Sequence, residues 1–251
     1  MSVLGVIPAR LGSTRLARKP LQLLGGQPLV LRVLARARAH RVADEIIVAT
    51  DAPAIRDVVE RAGGRAIMTA ATHATGTDRV AEVARQPEFA RFDVILNVQG
   101  DEPFLPRGAA LGAVARVEAG DDVGTAAVPM SIDAAADPGR VKVVFDGRGR
   151  ALYFSRAAIP FKRDPGDVDP DYWQHLGVYA YSRSALERWV AAPAAALELS
   201  ERLEQLRALH LGLTIGVATL QHGAMTGIDT PADLERAEAA WHTFALGEGL
   251  R

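Results

Sequence analysis

The sequence contains no cysteine. That excludes disulfides, thiolate metal sites and a cysteine nucleophile together, and leaves oxygen or imidazole as the ligands for any metal. No apolar run approaches the roughly 20 residues that a membrane-spanning helix needs. The first strand-like run begins almost at Met1, with no charged leader, long apolar segment or cleavage site before it, so a cytoplasmic location is expected. Neither sign of charge is in excess, with 29 Lys and Arg against 30 Asp and Glu, so no long-range field draws the molecule onto nucleic acid or an anionic membrane. Any anionic ligand must meet a local basic cluster. Aromatic residues are sparse at 6%, and no stacking platform accompanies the basic cluster described below, which argues against a nucleic-acid partner. Neither G-x-G-x-x-G nor G-x-x-x-x-G-K-[ST] occurs, which disfavours a dinucleotide fold or a P-loop NTPase. No internal repeat is evident.

What the chain does have is 251 residues, 49% of them apolar, enough for one large α/β domain around a sizeable core. Short Val- and Ile-rich runs alternate with helical periodicity: Val3 to Pro8 then Pro28 to His40, and Glu45 to Ala49 then Pro53 to Ala62. Ala66 to Met68, a helix near Thr77 to Arg85, the strand Asp93 to Val98 and a helix near Pro106 to Ala119 continue the series. Continuous apolar strands alternating with helices predict a mostly parallel sheet covered by helices, with ligands at the carboxyl ends of its strands. From about 124 to 181 the character changes. Strand-like stretches there are separated by Gly, Pro and Asp rather than by helices, which reads as a β-rich insertion or flap, or as a plain hairpin around Gly147 and Gly149. Arg163 to Tyr172, with two prolines and four aspartates, reads as an exposed loop. A short helix near Ser184 to Val190, a longer one from Leu197 to about His210, the strand Thr214 to Leu220 and a final helix complete the series. Leu199, Leu203, Leu206 and either Leu209 or His210 are expected to form the core-facing stripe of the longer helix.

The loop after the first strand, Arg10 to Pro20, carries Arg10, Arg15, Arg18 and Lys19 with Gly12, Ser13 and Thr14. Glycine permits close backbone approach, open N–H groups can face oxygens, and Arg15 and Lys19 can neutralise a leaving pyrophosphate. A solvated basic surface loop is the alternative. The strand ending at Val98 delivers Gln99, Gly100, Asp101 and Glu102 to the same expected edge, where Asp101 can reach magnesium. That ion is commonly held by one or two carboxylates together with substrate phosphates. A second carboxylate stands in Asp229-Thr230-Pro231-Ala232-Asp233. Thr230 as N-cap, Pro231 as the first helical residue and Asp233 as capping-box partner explain most of that segment and leave Asp229 available for a metal.

These segments resemble the 3-deoxy-manno-octulosonate cytidylyltransferase family. The resemblance covers nearly the whole chain and rests on Ile7-Pro8-Ala9-Arg10, Ser13-Thr14-Arg15-Leu16, Lys19-Pro20-Leu21, Ile47-Val48-Ala49-Thr50-Asp51, Gly76-Thr77-Asp78-Arg79 and Asn97 to Pro103. It continues through Val141-Lys142-Val143-Val144, Ala151 to Arg156, His175 to Tyr179, Leu203 to Arg207 and Asp229-Thr230-Pro231. It implies a Rossmann-like nucleotidyltransferase forming a single domain over 1–251, with the β-rich insertion used for sugar binding and dimer contacts. It implies transfer of CMP from CTP to 3-deoxy-manno-octulosonate (Kdo) for lipopolysaccharide synthesis, by a homodimer using Mg2+. Arg10, Ser13, Arg15, Lys19 and Thr75 would bind the nucleotide, and Asp101 and Asp229 the metal, with Lys19 taking a catalytic part. Arg79, Gln99, Arg156, His175, Tyr179, Glu204 and Gln205 would line the sugar pocket. Kdo carries a carboxylate and several hydroxyls, so Arg79 or Arg156 could pair with its charge while amide, imidazole and phenol groups read the hydroxyls. Thr75 stands where serine is usual and Phe161 where tryptophan is common, leaving hydroxyl and aromatic character intact. An 8-amino analogue of Kdo, a sialic acid, or a non-catalytic nucleotide-binding role are the alternatives.

Overall fold

The structure, a computed structural model, describes residues 1–13, 15–164, 166, 168–221, 225 and 227–247. Thr14 of the basic loop, and Pro165 and Asp167 of the expected exposed loop, lie outside them. The chain forms two compact units, residues 1–105 with 225–251 and residues 106–224.

In the first unit, β1 (Val3–Ala9), β4 (Glu45–Thr50), β5 (Ala66–Met68) and β6 (Val94–Val98) form a parallel sheet in the order β6-β1-β4-β5. A two-residue hairpin, β2 (Leu23–Leu24) with β3 (Gln27–Pro28), precedes helix α1 (Leu29–His40), while α2 (Pro53–Arg61) and α3 (Gly76–Ala84) connect the strands. The continuous apolar runs are explained by burial on both faces: Leu4, Val6 and Ile7 of β1, Ile47 and Val48 of β4 and Ile95 of β6 are all inaccessible to solvent. The short β5 sits at an edge of this sheet and is only partly covered.

The second unit begins with α4 (Arg107–Glu118), followed by β7 (Val123–Met130), the one-turn α5 (Ile132–Ala135), β8 (Lys142–Phe145), β9 (Ala151–Ser155) and β10 (Tyr172–Ser182). Helices α6 (Arg183–Ala191), α7 (Ala196–Glu201) and α8 (Gln205–His210) lead to β11 (Ile215–Thr219). Strand β11 runs parallel to β7, whereas β10 is antiparallel to β7 and to β8, and β8 to β9. The segment 124–181 lies inside this unit, and α5 interrupts what the sequence suggests is free of helix. Gly124 is required where α4 crosses β7, because a Cβ there would lie 1.8 Å from the Ala113 carbonyl oxygen.

One expectation fails outright. The helix expected from Leu197 to His210 is two six-residue helices, α7 and α8, separated by Arg202 in the left-handed region at φ 53°. That conformation costs an L-residue about 1–2 kcal/mol, and it turns the helical stripe out of register. Leu203 and Leu206 are buried, but Leu199 is 66% exposed while Glu198 is covered.

The last helix, α9 (Pro231–Gly247), returns to the first unit. Its Trp241 packs edge-on to Phe104 with centroids 5.7 Å apart, and the Arg32 guanidinium from α1 lies 4.6 Å from the Trp241 ring centroid. Gly25, at φ 55°, lets the β2–β3 hairpin approach so closely that a Cβ would fall 2.1 Å from Trp241. The segments that follow Lys19, Asp101 and Asp229 are thus packed together behind the groups described next.

Candidate functional site

Strands β1 and β6 are parallel neighbours, so the loops leaving their carboxyl ends emerge together. Gly100 permits this proximity, since a Cβ there would lie 2.6 Å from the Pro8 carbonyl oxygen. The next residue, Asp101, also receives the Ile228 backbone N–H on its own carbonyl at 2.9 Å, which fastens the segment bearing Asp229 alongside it. Asp229 is then held by the start of α9. The Asp233 carboxylate accepts the backbone N–H groups of Asp229 at 3.1 Å and Thr230 at 2.8 Å, while Thr230 Oγ1 accepts the N–H of Asp233 at 3.2 Å. The capping reading of this segment therefore holds, and the same cap fixes the backbone of Asp229. These donors outweigh the opposing effect of burial and hold the Asp233 carboxyl below its usual pKa.

Both carboxylates converge on one cation. Lys19 Nζ lies 2.6 Å from Asp101 Oδ2 and 2.9 Å from Asp229 Oδ1, and Arg15 Nη2 lies 3.0 Å from the same Asp229 oxygen. Lys19 is presented by a one-turn 3-10 helix, Lys19–Leu21, entered through Arg18 at φ 51°. Burial alone would lower the Lys19 pKa, but the two carboxylates overcome it and raise the value above normal. The ammonium is therefore firmly charged. Ser13 Oγ accepts the Leu16 N–H at 3.3 Å, shaping the loop, and Arg10 is exposed. Thr75 caps α3: its hydroxyl accepts from Asp78 N at 3.2 Å and its own N–H donates to Asp78 Oδ2 at 3.1 Å.

Two carboxylates from separate loops, brought within reach of a single ammonium, fit the donor set magnesium uses when phosphates complete its shell. Among the described residues no group of three or more His, Cys, Asp or Glu gathers as an all-protein cage. Asp101 and Asp229 are 24% and 38% exposed at their side chains, so solutes can reach them.

The residues read as sugar-binding divide between the units. In the first, Gln99 follows β6 beside Gly76 and Pro8. Arg79 is only 2% exposed; it donates to Asp51 Oδ2 at 3.0 Å and bonds Thr69 Oγ1. In the second, His175 and Tyr179 lie on β10, their ring centroids 5.3 Å apart, with Phe154 edge-on to His175. Burial lowers the His175 pKa to about 3, so the imidazole is neutral at physiological pH. Its tautomer follows from its neighbour. Thr125 Oγ1 donates to the Val178 carbonyl at 2.7 Å, so it accepts from His175 Nε2 at 2.9 Å, leaving Nδ1 as the lone-pair nitrogen. Burial, then the neighbouring Tyr181 and Glu204, pushes the Tyr179 phenol well above its usual pKa. Gln205 is buried and Glu204 half-buried at the start of α8.

Sequence reasoning missed two supporting groups in this unit. Glu198 and Arg207 form a buried bidentate pair, with Nη2 to Oε1 at 2.6 Å and Nε to Oε2 at 2.8 Å. Lys142, which the motif Val141 to Val144 contains without a role, is inaccessible to solvent and donates to the carbonyls of Asp137 and Arg156 at 3.0 and 2.6 Å.

A cytidylyltransferase family model matches residues 4–215. The chain is 57% identical over 245 residues to the 3-deoxy-manno-octulosonate cytidylyltransferase of Gemmatimonas aurantiaca, a match covering 96% of this chain and 95% of that one. A solved CMP:2-keto-3-deoxy-manno-octonic acid synthetase complexed with CTP superposes with a TM-score of 0.87 at 37% identity, covering 97% of this chain and 99% of that one. The 4-diphosphocytidyl-2C-methyl-D-erythritol synthase of Anaerococcus prevotii, at 17% identity and a TM-score of 0.61 over 96% of this chain and 98% of that one, shares the fold. With a parallel α/β core, a β1 loop facing the end of β6 and near-full-length identity of this order, the chain belongs to the cytidylyltransferase family, among its 3-deoxy-manno-octulosonate members.

Proposed function

We propose that this protein transfers the cytidylyl group of CTP to Kdo, forming CMP-Kdo and pyrophosphate. The observation that carries the reading at the site is the convergence of Lys19, Asp101 and Asp229 beside the basic loop after β1, in a chain so similar to a named Kdo cytidylyltransferase. In the reaction the anomeric hydroxyl oxygen of the sugar bonds to the α-phosphorus, the bond from that phosphorus to the β-phosphate oxygen breaks, and the hydroxyl proton is lost. In-line positioning and charge stabilisation account for the acceleration, so no side-chain nucleophile is required.

Asp101 and Asp229 would hold the metal, which supplies Lewis-acid stabilisation of charge on the phosphoryl oxygens when bound. Lys19 and Arg15, drawn from the carboxylates toward the triphosphate, neutralise the leaving pyrophosphate, and Arg10 and Ser13 extend the same grip. Thr75 sits at the amino end of α3, where oriented N–H groups favour a polar or anionic ligand. On the acceptor side, neutral His175 offers Nδ1 to a sugar hydroxyl rather than acting as a base. Tyr179, Gln99, Glu204 and Gln205 read the remaining hydroxyls, and Arg79 contributes positive charge toward the carboxylate. We take the protein to act as a cytoplasmic homodimer supplying lipopolysaccharide assembly.

The test is pyrophosphate release with CTP and magnesium, offering Kdo, its 8-amino analogue and a sialic acid separately, with Asp101→Ala as control. Release with Kdo, lost in the control, is expected. Release only with another acid would retain the chemistry and replace the sugar; release with none would leave a non-catalytic nucleotide binder.

A further inference from the structure

Glu204 and Gln205 stand immediately after the left-handed break at Arg202. Such a break inside an otherwise helical sequence persists only if its surroundings hold it, and Glu201, the last residue of α7, is where they do so. Its Oε1 accepts the Ser155 hydroxyl at 2.6 Å and its Oε2 the Arg156 backbone N–H at 2.9 Å. The Arg156 side chain answers in kind. Nε donates to the Glu201 carbonyl at 2.8 Å, Nη1 to the Pro138 carbonyl at 3.0 Å, and Nη2 reaches the Arg202 carbonyl at 3.4 Å. Lys142 Nζ closes the arrangement from beneath, on the Arg156 carbonyl at 2.6 Å.

We propose that Glu201 is a positioning residue for acceptor-sugar selection: it fastens the end of β9 to the break at Arg202 and so sets Glu204 and Gln205, and Arg156 acts through this junction rather than by pairing with the sugar carboxylate. The direction of the Arg156 donors is the central point. Nε spends its one N–H on the Glu201 carbonyl and each terminal nitrogen spends one of its two on another carbonyl, so a side-on fork through Nε would require it to leave, and only one N–H on each terminal nitrogen remains. The carboxylate of Glu201 also bonds Ser155 and Arg156 with different oxygens, which fixes its orientation and with it the chain leading to Glu204. The inference rests on the reading that Glu204 and Gln205 contact the sugar.

Steady-state kinetics in both substrates on Glu201→Gln, Arg156→Ala, their double variant and Glu204→Gln, with melting temperatures alongside, test it. The junction predicts that Glu201→Gln and Arg156→Ala each raise the KM for Kdo about tenfold with the KM for CTP unchanged, and that the double variant is no worse than either single one. Effects of Arg156→Ala that greatly exceed and multiply with those of Glu201→Gln would show a direct carboxylate contact and overturn the proposal. A lower melting temperature with an unaltered KM for Kdo would make Glu201 merely structural and overturn it as well. If a variant does not fold, Ser155→Ala removes only the 2.6 Å bond and must reproduce a smaller rise in the same KM. Glu204→Gln separates the two levels. A raised KM there with none in Glu201→Gln defeats the junction alone, whereas no change in either defeats the sugar-pocket reading and the junction with it.

Discussion

The two units place charge in opposite ways. In the first, the groups expected to meet nucleotide and metal are ionised, partly open to solvent and neutralised only by one another, through Lys19 between Asp101 and Asp229. In the second, most groups expected to meet sugar are neutral or bound to the main chain: His175 without its proton, Tyr179 with its own, Arg156 on carbonyls. The difference follows the chemistry each would face. A triphosphate and a divalent cation would displace the ionic partners these groups now give one another, whereas a polyhydroxy acid would be recognised by fixed hydrogen-bond geometry.

The sharpest way to break this comparison is to remove a charge on each side. Asp101→Ala should lower kcat by roughly a thousandfold, the upper range for loss of one transition-state stabilising group, measured by pyrophosphate release at saturating substrates with the melting temperature little changed. In the second unit the largest effect should fall on stability instead. Glu198→Ala strands the Arg207 guanidinium in a buried setting, and breaking such a pair costs about 3–5 kcal/mol, read from the urea midpoint.

Removing the cation in the first unit should have an unusual sign. In Lys19→Met the carboxylates of Asp101 and Asp229 lose their shared counter-ion, so manganese binding to the nucleotide-free protein should tighten by about tenfold, or ~1.4 kcal/mol, by titration calorimetry, even as turnover falls. Weaker or unchanged binding would mean that the ammonium does not occupy the metal's place. His175 supplies the contrast in pH. Its folded pKa of about 3 lies below the ordinary value of 6.5, so between those values the unfolded chain holds more protons. The neutral ring's contribution to stability is then complete above pH 6.5 and is lost as pH falls toward 3. In thermal melts His175→Gln should show a shallower loss between pH 6.5 and 4 than the parent, and no change in the pH profile of turnover above 6.5.

Much of this was legible before any coordinates, and unevenly so. The strands of the first unit announce themselves as continuous apolar runs because both faces are buried, and Lys19, Asp101 and Asp229 stand at strand and helix ends where ligands gather in parallel sheets. The pairing of Glu198 with Arg207 had no such signal. Nine positions apart, they would sit half a turn around and roughly 13 Å along from one another in a continuous helix, so only the break makes them neighbours. Apolar periodicity across 197–210 points to one helix because nothing local marks Arg202 as left-handed, with neither glycine nor asparagine at that position. His175 and Glu204 read as ordinary structural and solvated residues; the family resemblance alone singles them out.

That break offers the finest test of how the second unit is built. Arg202→Gly removes the steric cost of the left-handed conformation, about 1–2 kcal/mol for an L-residue, but it also frees the unfolded chain by roughly 0.4–1 kcal/mol. The net change in stability should be a gain of between zero and about 1.6 kcal/mol, visible as a small upward shift in melting temperature. Arg202 reaches the junction at Glu201 only through its main-chain carbonyl, which glycine retains, so the KM for Kdo should not move. A raised KM would mean that the stiffness of residue 202, and not only the bonds made by Glu201, holds Glu204 in place.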